Sequence, residues 1–334
     1  MCNLHTYPNL EGKAIMKAAI VRAAGEPPVY GDFPKPDPKP DERLVHVTAA
    51  AISQLVRGRA AGTHYSSTGQ FPFIVGVDGV GRLDDGRRVY FALPRAPYGS
   101  MAEQTVVSRA QCLPLPDELD DVTAAAIANP GMSSWAAYTE RAKLQSGETV
   151  LINGATGAAG RLAVQIARHL GAKKVIATGR NVEALQDVAV LGADTTIPLT
   201  QEEDILEESL KVQFAAGVDV VIDYLWGKSA ERLLTAAAKV SEDGARLRYV
   251  QVGSISGANI TLPGAVLRAA AIELMGSGIG SVPRDRLISA IAGLFKAAGP
   301  AGFKIATRPM PLPQVEDAWS QGDSTHRTVL TVSE

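Results

Sequence analysis

A glycine-rich loop at residues 154–160, which reads Gly-Ala-Thr-Gly-Ala-Ala-Gly, carries the strongest chemical signal in the sequence. It follows the apolar run Val150-Leu151-Ile152 and opens a segment with helical periodicity. Small residues let the backbone approach a pyrophosphate closely, and the N–H groups at a helix start attract that anion. Compared with G-x-G-x-x-G, Ala155 replaces the first glycine, while Gly157 and Gly160 are kept. The predicted pyrophosphate-binding residues are Gly154, Thr156, Gly157, Ala158 and Ala159, with a purely structural tight turn as the alternative.

The end of the next predicted strand indicates which nucleotide the site takes. A site for NAD usually places an acidic residue there, on the ribose hydroxyls. This chain has Gly179-Arg180-Asn181 instead, without a carboxylate. A guanidinium matches the geometry of a 2′-phosphate, which a carboxylate would repel. These three residues therefore predict NADPH rather than NADH; the alternative is that Arg180 is a solvated surface residue.

Apolar strands alternate with helices from about residue 121 onward. Strands are predicted at 148–153, 174–178, 196–197, 218–223, 248–252 and 271–275, and helices at 160–170, 182–191, 233–240 and 284–298. Continuous apolar strands separated by helices indicate a parallel sheet covered on both faces, here of the doubly wound type. Such sheets bind ligands at the carboxyl ends of their strands. The residues predicted there are Tyr224, Val252, Gly253, Ser254, Ser277 and Gly278, with plain loops as the alternative.

Residues 16–125 have a different pattern, in which short β-type runs alternate with turn formers and prolines. This pattern is typical of a small, mostly β domain. The segments 304–310 and 328–332 again resemble its short strands. We therefore predict an α/β protein with a loosely ordered extension at 1–15. A substrate-binding domain is predicted at 16–125 and 280–334, and a dinucleotide-binding domain at 126–279.

Composition excludes several classes of function. The chain has 334 residues and a net charge of −2, without a basic run, so no nucleic-acid partner is predicted. Its two cysteines predict no disulfide framework and a reducing compartment. It lacks the run of about 18 apolar residues that a membrane span needs, and its first residues lack a signal-peptide pattern. We expect a cytoplasmic protein with no membrane association.

Several motifs resemble those of one known superfamily. They are Met16-Lys17-Ala18-Ala19, Gly76-Val77-Asp78-Gly79-Val80-Gly81, Pro130-Gly131-Met132-Ser133-Ser134, the glycine loop and His326-Arg327-Thr328-Val329-Leu330. From residue 16 to 334 the chain resembles the medium-chain dehydrogenase/reductase superfamily, within it the zinc-free quinone oxidoreductase-like branch. The resemblance implies a GroES-like substrate domain joined to a Rossmann domain. It also implies a homodimer formed through the edge of the Rossmann sheet, for which the apolar segment 272–275 is the candidate strand.

The resemblance also implies that this chain binds no metal. Zinc-dependent members carry a cysteine, a Gly-His-Glu and a second cysteine, and the matching ligand positions here hold Ser53, Val77 and Pro130, with Asp78 at the glutamate position. Serine, valine and proline make no plausible zinc set. The four-cysteine structural lobe is absent as well, since the chain has two cysteines. Without a Lewis acid, an electron-poor acceptor such as a quinone or an activated C=C is favoured over a simple ketone.

On the substrate side, the resemblance implies catalytic roles for Ser53, His64 and Tyr65. His64 or Tyr65 could donate a hydrogen bond to a carbonyl oxygen as enolate charge develops. His64 could also protonate the product, although water is an alternative proton source, and both residues could be plain loop residues. The chain has Ser53-Gln54-Leu55-Val56 where the branch commonly has Asn-Pro-x-Asp. Ser133 is expected beside the nicotinamide or its phosphate.

These observations predict an NADPH-dependent, zinc-independent oxidoreductase that transfers hydride to a quinone or to the activated C=C of an enone or 2-alkenal. One alternative keeps the fold and the cofactor but lacks efficient catalysis, as in a sensor or a crystallin-like protein. The lost Asn/Asp pair would suit that alternative. A zinc alcohol dehydrogenase is the third hypothesis, and bound zinc would support it.

Overall fold

A computed structural model describes residues 12–67, 69–322 and 326–332 of the chain. Most of the predicted N-terminal extension, residues 1–11, lies outside the described residues. The chain divides into two compact units. One contains the described residues up to Asn129 together with those from Ile305 onward, and the other spans Pro130–Lys304.

Strands and helices alternate along most of the chain. The strands are β1 (Ile15–Val21), β2 (Val29–Pro34), β3 (Glu42–Ala51), β4 (Phe73–Ile74), β5 (Asp78–Arg82), β6 (Arg88–Ala92), β7 (Gln104–Ser108), β8 (Cys112–Pro114), β9 (Thr149–Asn153), β10 (Lys174–Gly179), β11 (Thr195–Pro198), β12 (Val220–Asp223), β13 (Leu247–Gln251), β14 (Ile272–Gly276), β15 (Thr307–Pro311) and β16 (Arg327–Thr331). The helices are α1 (Gln54–Ala60), α2 (Asp121–Ala136), α3 (Ala158–His169), α4 (Val182–Val190), α5 (Glu203–Ala215), α6 (Gly227–Val240), α7 (Gly264–Ala269), α8 (Arg284–Ala301) and α9 (Val315–Ser320). None of those helices, over the ranges just stated, has the length and apolar composition needed to cross a bilayer.

The first unit is built from mostly antiparallel strands. One sheet has the order β2-β1-β4, and a larger one has the order β15-β16-β3-β5-β6-β8, with β7 also paired to β3. The tail of the chain returns to this unit because β16 pairs antiparallel with β3, Val329 opposite Ala51. Val45, Val47 and Phe91 form part of its buried core.

The second unit contains a parallel sheet with the strand order β11-β10-β9-β12-β13-β14. Val150, Leu151 and Ile152 of β9 are fully buried, as expected for a central strand with helices on both faces. The chain order reverses beside β9, where β10 lies on one side and β12 on the other. This arrangement confirms the predicted doubly wound fold and places the carboxyl ends of β9 and β12 at its switch point.

The border of the second unit differs from the predicted one. Residues 280–304, which the sequence pattern assigned to the substrate domain, lie in the second unit. The reason is the packing of α8, whose Leu287 and Ala290 form a buried cluster with Ala136, and Met132 packs against that cluster. The other border, after Asn129, falls close to the predicted position.

Candidate functional site

The glycine loop turns sharply between β9 and α3. Gly154 has a φ of +91°, a left-handed conformation that favours glycine. A Cβ atom at Gly154 would also lie 2.8 Å from the side chain of Leu225. At Gly160 a Cβ atom would lie 2.3 Å from the carbonyl oxygen of Gly154, so this glycine lets the helix pack directly on the turn. Both glycines are therefore required by the fold of the loop itself.

Gly157 differs from its two neighbours because nothing lies within 4 Å of the position of a Cβ atom there. Gly157 is the N-cap of α3, and no side chain caps the N–H groups of the first turn, which contains Ala158 and Ala159. Those N–H groups and the helix dipole attract an anion. The open space and the uncapped helix start fit a pyrophosphate at this loop.

The end of β10 lies beside the glycine loop. Gly179 is buried there, and a Cβ atom on it would lie 2.5 Å from the Cγ2 atom of Thr156. Arg180 is exposed, and no hydrogen bond or ion pair engages it within the described residues. Asn181 caps α4, since its Oδ1 atom accepts a hydrogen bond from the Ala184 N–H at 2.9 Å. Asn181 thus holds the turn that carries Arg180, and its side-chain NH₂ group donates no hydrogen bond in the described residues.

A buried polar network, which the sequence analysis missed, ties the strand ends together. The carboxylate of Asp223 accepts hydrogen bonds from the Asn153 side-chain amide (2.8 Å) and the Tyr249 hydroxyl (2.7 Å). It also accepts from the backbone N–H groups of Leu225 (2.8 Å) and Trp226 (3.1 Å). Burial raises the pKa of Asp223, and these hydrogen bonds oppose the rise. An acidic residue that ends an apolar strand was the available signal.

Tyr224 follows Asp223, and its hydroxyl lies 2.7 Å from the Ser134 hydroxyl. Burial raises the pKa of Tyr224 to about 12, so the phenol stays neutral. The Ser133 hydroxyl donates to the Pro130 carbonyl oxygen at 2.8 Å within α2, and it also lies within hydrogen-bond reach of Tyr224. The structure thus brings Tyr224 next to Ser133 and Ser134, and the roles of Tyr224 and Ser133 in cofactor binding remain predictions.

Strands β13 and β14, at one edge of the parallel sheet, end beside a cavity of about 340 Å³. Ser254 contributes to its lining, together with Trp226, Gln251 and Met275. Val252 and Gly253 come directly after β13, where both backbone N–H groups donate to the Asp223 carbonyl oxygen. After β14, the Ser277 N–H donates to the Gln251 carbonyl oxygen and the Gly278 N–H to the Ser281 hydroxyl. These N–H groups serve the fold, and Ser254 is the predicted residue that faces the cavity.

Comparison with known proteins decides the family. The chain is 33% identical, over an alignment 364 positions long, to the probable NADPH-dependent quinone reductase tdiC of Emericella nidulans, and the match covers 95% of this chain and 100% of that protein. A family model described as zinc-binding dehydrogenase matches residues 158–295. The chain belongs to the medium-chain dehydrogenase/reductase superfamily, in its quinone-reductase-like branch.

Other members of the superfamily are similar over large parts of the chain. A 2-haloacrylate reductase of a Burkholderia species is 27% identical over 235 residues, which covers 66% of this chain and 69% of that protein. The quinone oxidoreductase of Thermus thermophilus, whose structure was also solved in complex with NADPH, superposes with a TM-score of 0.78. It is 24% identical and the match covers 95% of this chain and 100% of that one, so it supports the fold.

The superfamily resemblance singled out three substrate-side residues, all in the first unit. Ser53 is buried and caps α1, where its hydroxyl oxygen accepts the Val56 N–H at 3.0 Å. His64 is half-buried, and its Nδ1 atom accepts the Ser66 N–H at 3.1 Å. Tyr65 is 70% exposed, and its ring lies 4.2 Å from the His64 ring. The structure therefore groups His64 with Tyr65, while the oxygen of Ser53 serves a helix cap.

The positions that hold zinc in other members of the superfamily carry no metal-binding groups here. Ser53, Val77 and Pro130 offer neither a thiolate nor an imidazole. Within residues 12–67, 69–322 and 326–332, no cluster of three or more His, Cys, Asp or Glu side chains is arranged to hold a metal. Asp78 is buried, accepts a hydrogen bond from the Tyr90 hydroxyl at 3.1 Å, and has its pKa raised by burial to about 6.

Proposed function

We propose that this protein is an NADPH-dependent, zinc-independent oxidoreductase that reduces a quinone or the activated C=C bond of an enone or 2-alkenal. The observation that carries the proposal is the end of β10. There the buried Gly179 is followed by Arg180, whose exposed guanidinium has no partner in the described residues. The glycine loop that starts the uncapped helix α3 lies beside Gly179. The similarity to a probable NADPH-dependent quinone reductase over 95% of the chain supports it.

The residues of the second unit fit this cofactor. The backbone N–H groups of Ala158 and Ala159 would hold the pyrophosphate, in the open space over Gly157. Arg180 would pair with the 2′-phosphate, which NADH lacks. Tyr224 and Ser133 would orient the nicotinamide end. When bound, NADPH supplies the hydride, and the protein supplies position and polarity.

The proposed class of acceptor rests on the residues at the positions that hold zinc in other members of the superfamily. Ser53, Val77 and Pro130 do not fit zinc, so polarisation of a carbonyl must come from hydrogen-bond donors. Because Nδ1 of His64 accepts the Ser66 N–H, the ring proton of the neutral imidazole sits on Nε2, which can donate to a substrate oxygen. Burial and the Arg59 charge lower the pKa of His64, so the ring is neutral at pH 7. We therefore assign His64 to stabilise the enolate oxygen, and water to supply the proton.

The test is the oxidation of NADPH and NADH by purified, chelator-treated protein. The acceptors are 1,4-benzoquinone, 9,10-phenanthrenequinone, a 2-alkenal, an enone and a simple ketone. NADPH-selective turnover of quinones or enones, unchanged by the chelator, is the expected result. Turnover of the ketone that requires added zinc would show a zinc alcohol dehydrogenase instead. Tight NADPH binding without turnover of any acceptor would favour the sensor or crystallin-like alternative.

We also propose that the protein forms a homodimer through β14. This strand stands last in the sheet order, and Leu274 on it is 40% exposed. An apolar edge strand offers unpaired backbone groups to a second copy. Light scattering after size-exclusion chromatography should give a dimer mass for the wild type and a monomer mass for Leu274→Arg. Val190→Arg, at an 88% exposed position of α4, is the control and should stay dimeric; a monomeric wild type would overturn the proposal.

A cytoplasmic location is part of the proposal and is supported by the low cysteine content of the chain. Fractionation of cells that express the tagged chain tests it. Recovery in a secreted or membrane fraction would contradict it.

A further inference from the structure

A second pocket, of about 60 Å³, lies within the first unit. Its walls come from α1, from Ser67, from the segment 69–77 and from the loop 94–98. Three of the lining residues are aromatic: Phe71 and Phe73, whose rings lie 5.4 Å apart, and Tyr98. The volume admits several water molecules, or a carboxylate and the first atoms behind it. An aromatic wall suits a planar, conjugated ligand.

Arg59 of α1 lines this pocket and is half-buried. No hydrogen bond or ion pair to its guanidinium is present in the described part of the chain. Two other arginines of the unit are engaged: Arg57 donates to the Trp319 and Gln321 carbonyl oxygens, and Arg95 pairs with Glu42 at 2.7 Å. Burial lowers the pKa of the Arg59 guanidinium, which reflects the cost of holding this charge away from water.

A hydroxyl group without a partner lines the same pocket. The Oγ atom of Ser67 is buried and makes no hydrogen bond. A buried polar atom of this kind loses its hydration without compensation, so its presence calls for a ligand or a bound water. Arg59 and Ser67 both line this pocket, and neither the guanidinium nor the hydroxyl has an acceptor in the described residues. Such donors are complementary to an oxygen anion.

We propose that this pocket binds the anionic group of the acceptor, a carboxylate or an ionised hydroxyl conjugated with the reducible quinone or C=C bond. Arg59 provides the charge and Ser67 a further hydrogen bond, while Phe71 and Phe73 contact the flat part of the molecule. The inference rests on the proposed function, and it narrows the substrate class to acceptors that carry a negative charge. Arg59 and Ser67 are specificity residues, since they recognise a group that does not itself react.

The test uses acceptors that differ by one charge. 3-Benzoylacrylate and its methyl ester share one enone, and 2-hydroxy-1,4-naphthoquinone, which ionises, is compared with 2-methoxy-1,4-naphthoquinone. Arg59→Gln should lower kcat/KM for a charged acceptor by about 10- to 100-fold, the effect of one charge-assisted hydrogen-bonded contact. The neutral partner should lose much less than the charged acceptor, although the Arg59 charge also acts on His64, and the KM for NADPH should be unchanged. Arg59→Lys should keep part of the preference, and Ser67→Ala should cause a smaller loss. A loss confined to 3-benzoylacrylate would show that the pocket binds a carboxylate, and a loss confined to 2-hydroxy-1,4-naphthoquinone would show that it binds an ionised hydroxyl.

The matched control is Arg87→Gln, which removes the same charge from an exposed arginine paired with Asp85 in the same unit. It should leave every acceptor unaffected. An equal loss for charged and neutral acceptors in Arg59→Gln, or a raised KM for NADPH, would overturn the proposal. Thermal unfolding shows whether Arg59→Gln folds, and we expect a Tm at or above that of the wild type, because the variant loses an uncompensated buried charge.

A binding measurement separates failure of this inference from failure of the proposed function. 3-Benzoylpropanoate lacks the C=C bond, so calorimetric titration measures its binding without turnover. Binding that depends on Arg59 in a protein that turns over no acceptor would refute the proposed function and keep the anion site. Turnover of neutral acceptors together with equal affinity of the wild type and Arg59→Gln for 3-benzoylpropanoate would refute the anion site alone.

Discussion

Two glycines of the same loop should respond in opposite ways to one added methyl group. At Gly160 the new Cβ atom would lie 2.3 Å from the Gly154 carbonyl oxygen and 2.5 Å from the Ala155 Cα atom. Both contacts are with backbone, so no side chain can rotate away. At Gly157 the backbone has φ −78° and ψ 167°, which any residue adopts, and nothing lies within 4 Å of the new atom. The structure therefore predicts a stability defect for Gly160→Ala and a binding defect for Gly157→Ala.

The expected magnitudes follow from these contacts. Overpacking against fixed neighbours costs about 1–3 kcal/mol or more, so Gly160→Ala should lower the free energy of unfolding by at least that amount. Gly157→Ala should lower it by no more than about 1 kcal/mol, because the new methyl group meets no protein atom and alanine is only a poorer N-cap residue than glycine. That methyl group would occupy the space over the helix start and push the pyrophosphate away. Loss of one charge-assisted hydrogen bond there would weaken NADPH binding about 10- to 100-fold.

Urea unfolding followed by circular dichroism measures the first effect, and NADPH fluorescence titration measures the second. Each variant is the control for the other. A Gly157→Ala protein that binds NADPH as tightly as the wild type would refute the placement of the pyrophosphate. A Gly160→Ala protein as stable as the wild type would refute the close packing of α3 on the turn.

Three further predictions test other parts of the molecule. Arg180→Ala should weaken NADPH binding about 10- to 100-fold in fluorescence titration and leave NADH unchanged, since only NADPH has the 2′-phosphate; equal losses would refute the assignment. Asp223→Ala should lower the free energy of unfolding in urea by at least about 2 kcal/mol, because it orphans several buried donors; an unchanged midpoint would contradict this. Burial raises the pKa of Asp78 from 3.8 to about 6, so the folded state holds this proton more tightly than the unfolded state. As pH rises from about 4 to about 6, the free energy of unfolding of the wild type should therefore fall relative to that of Asp78→Asn. Urea unfolding at each pH measures this difference. A difference that does not vary with pH would exclude that titration.

The elements of the second unit were predictable because their signals are local. An apolar strand of four to six residues, a glycine turn and an amphipathic helix each depend on neighbours in sequence. The strands predicted from 148 to 275 correspond to β9 through β14 with shifts of a few residues at their ends. The position of Arg180 after Gly179 could be read in the same way, because it is set by the end of one strand.

Other features depend on contacts between residues that are distant in sequence, and these could not be predicted from the sequence. The segment 280–304 was assigned to the substrate domain because it leads into the tail strands. The packing of Leu287 and Ala290 on α2 places it in the second unit instead. The helix caps formed by the Ser53 and Asn181 side chains are different, because each joins residues only three apart in sequence. Capping was foreseeable from their positions just before α1 and α4, because Ser and Asn are favoured N-cap residues.

The sequence by itself determined the doubly wound sheet, the glycine loop, the guanidinium beside it and the absence of metal-binding residue types at three positions. The first three follow from residue types at fixed spacing along the chain, and the last follows from the resemblance to the superfamily. Only the tertiary structure decided that Asp223 accepts hydrogen bonds from Asn153 and Tyr249, and that Arg59 and Ser67 share a pocket. Burial and hydrogen-bond partners arise from residues brought together by folding, and they determine which polar groups are satisfied and which are left to bind a ligand.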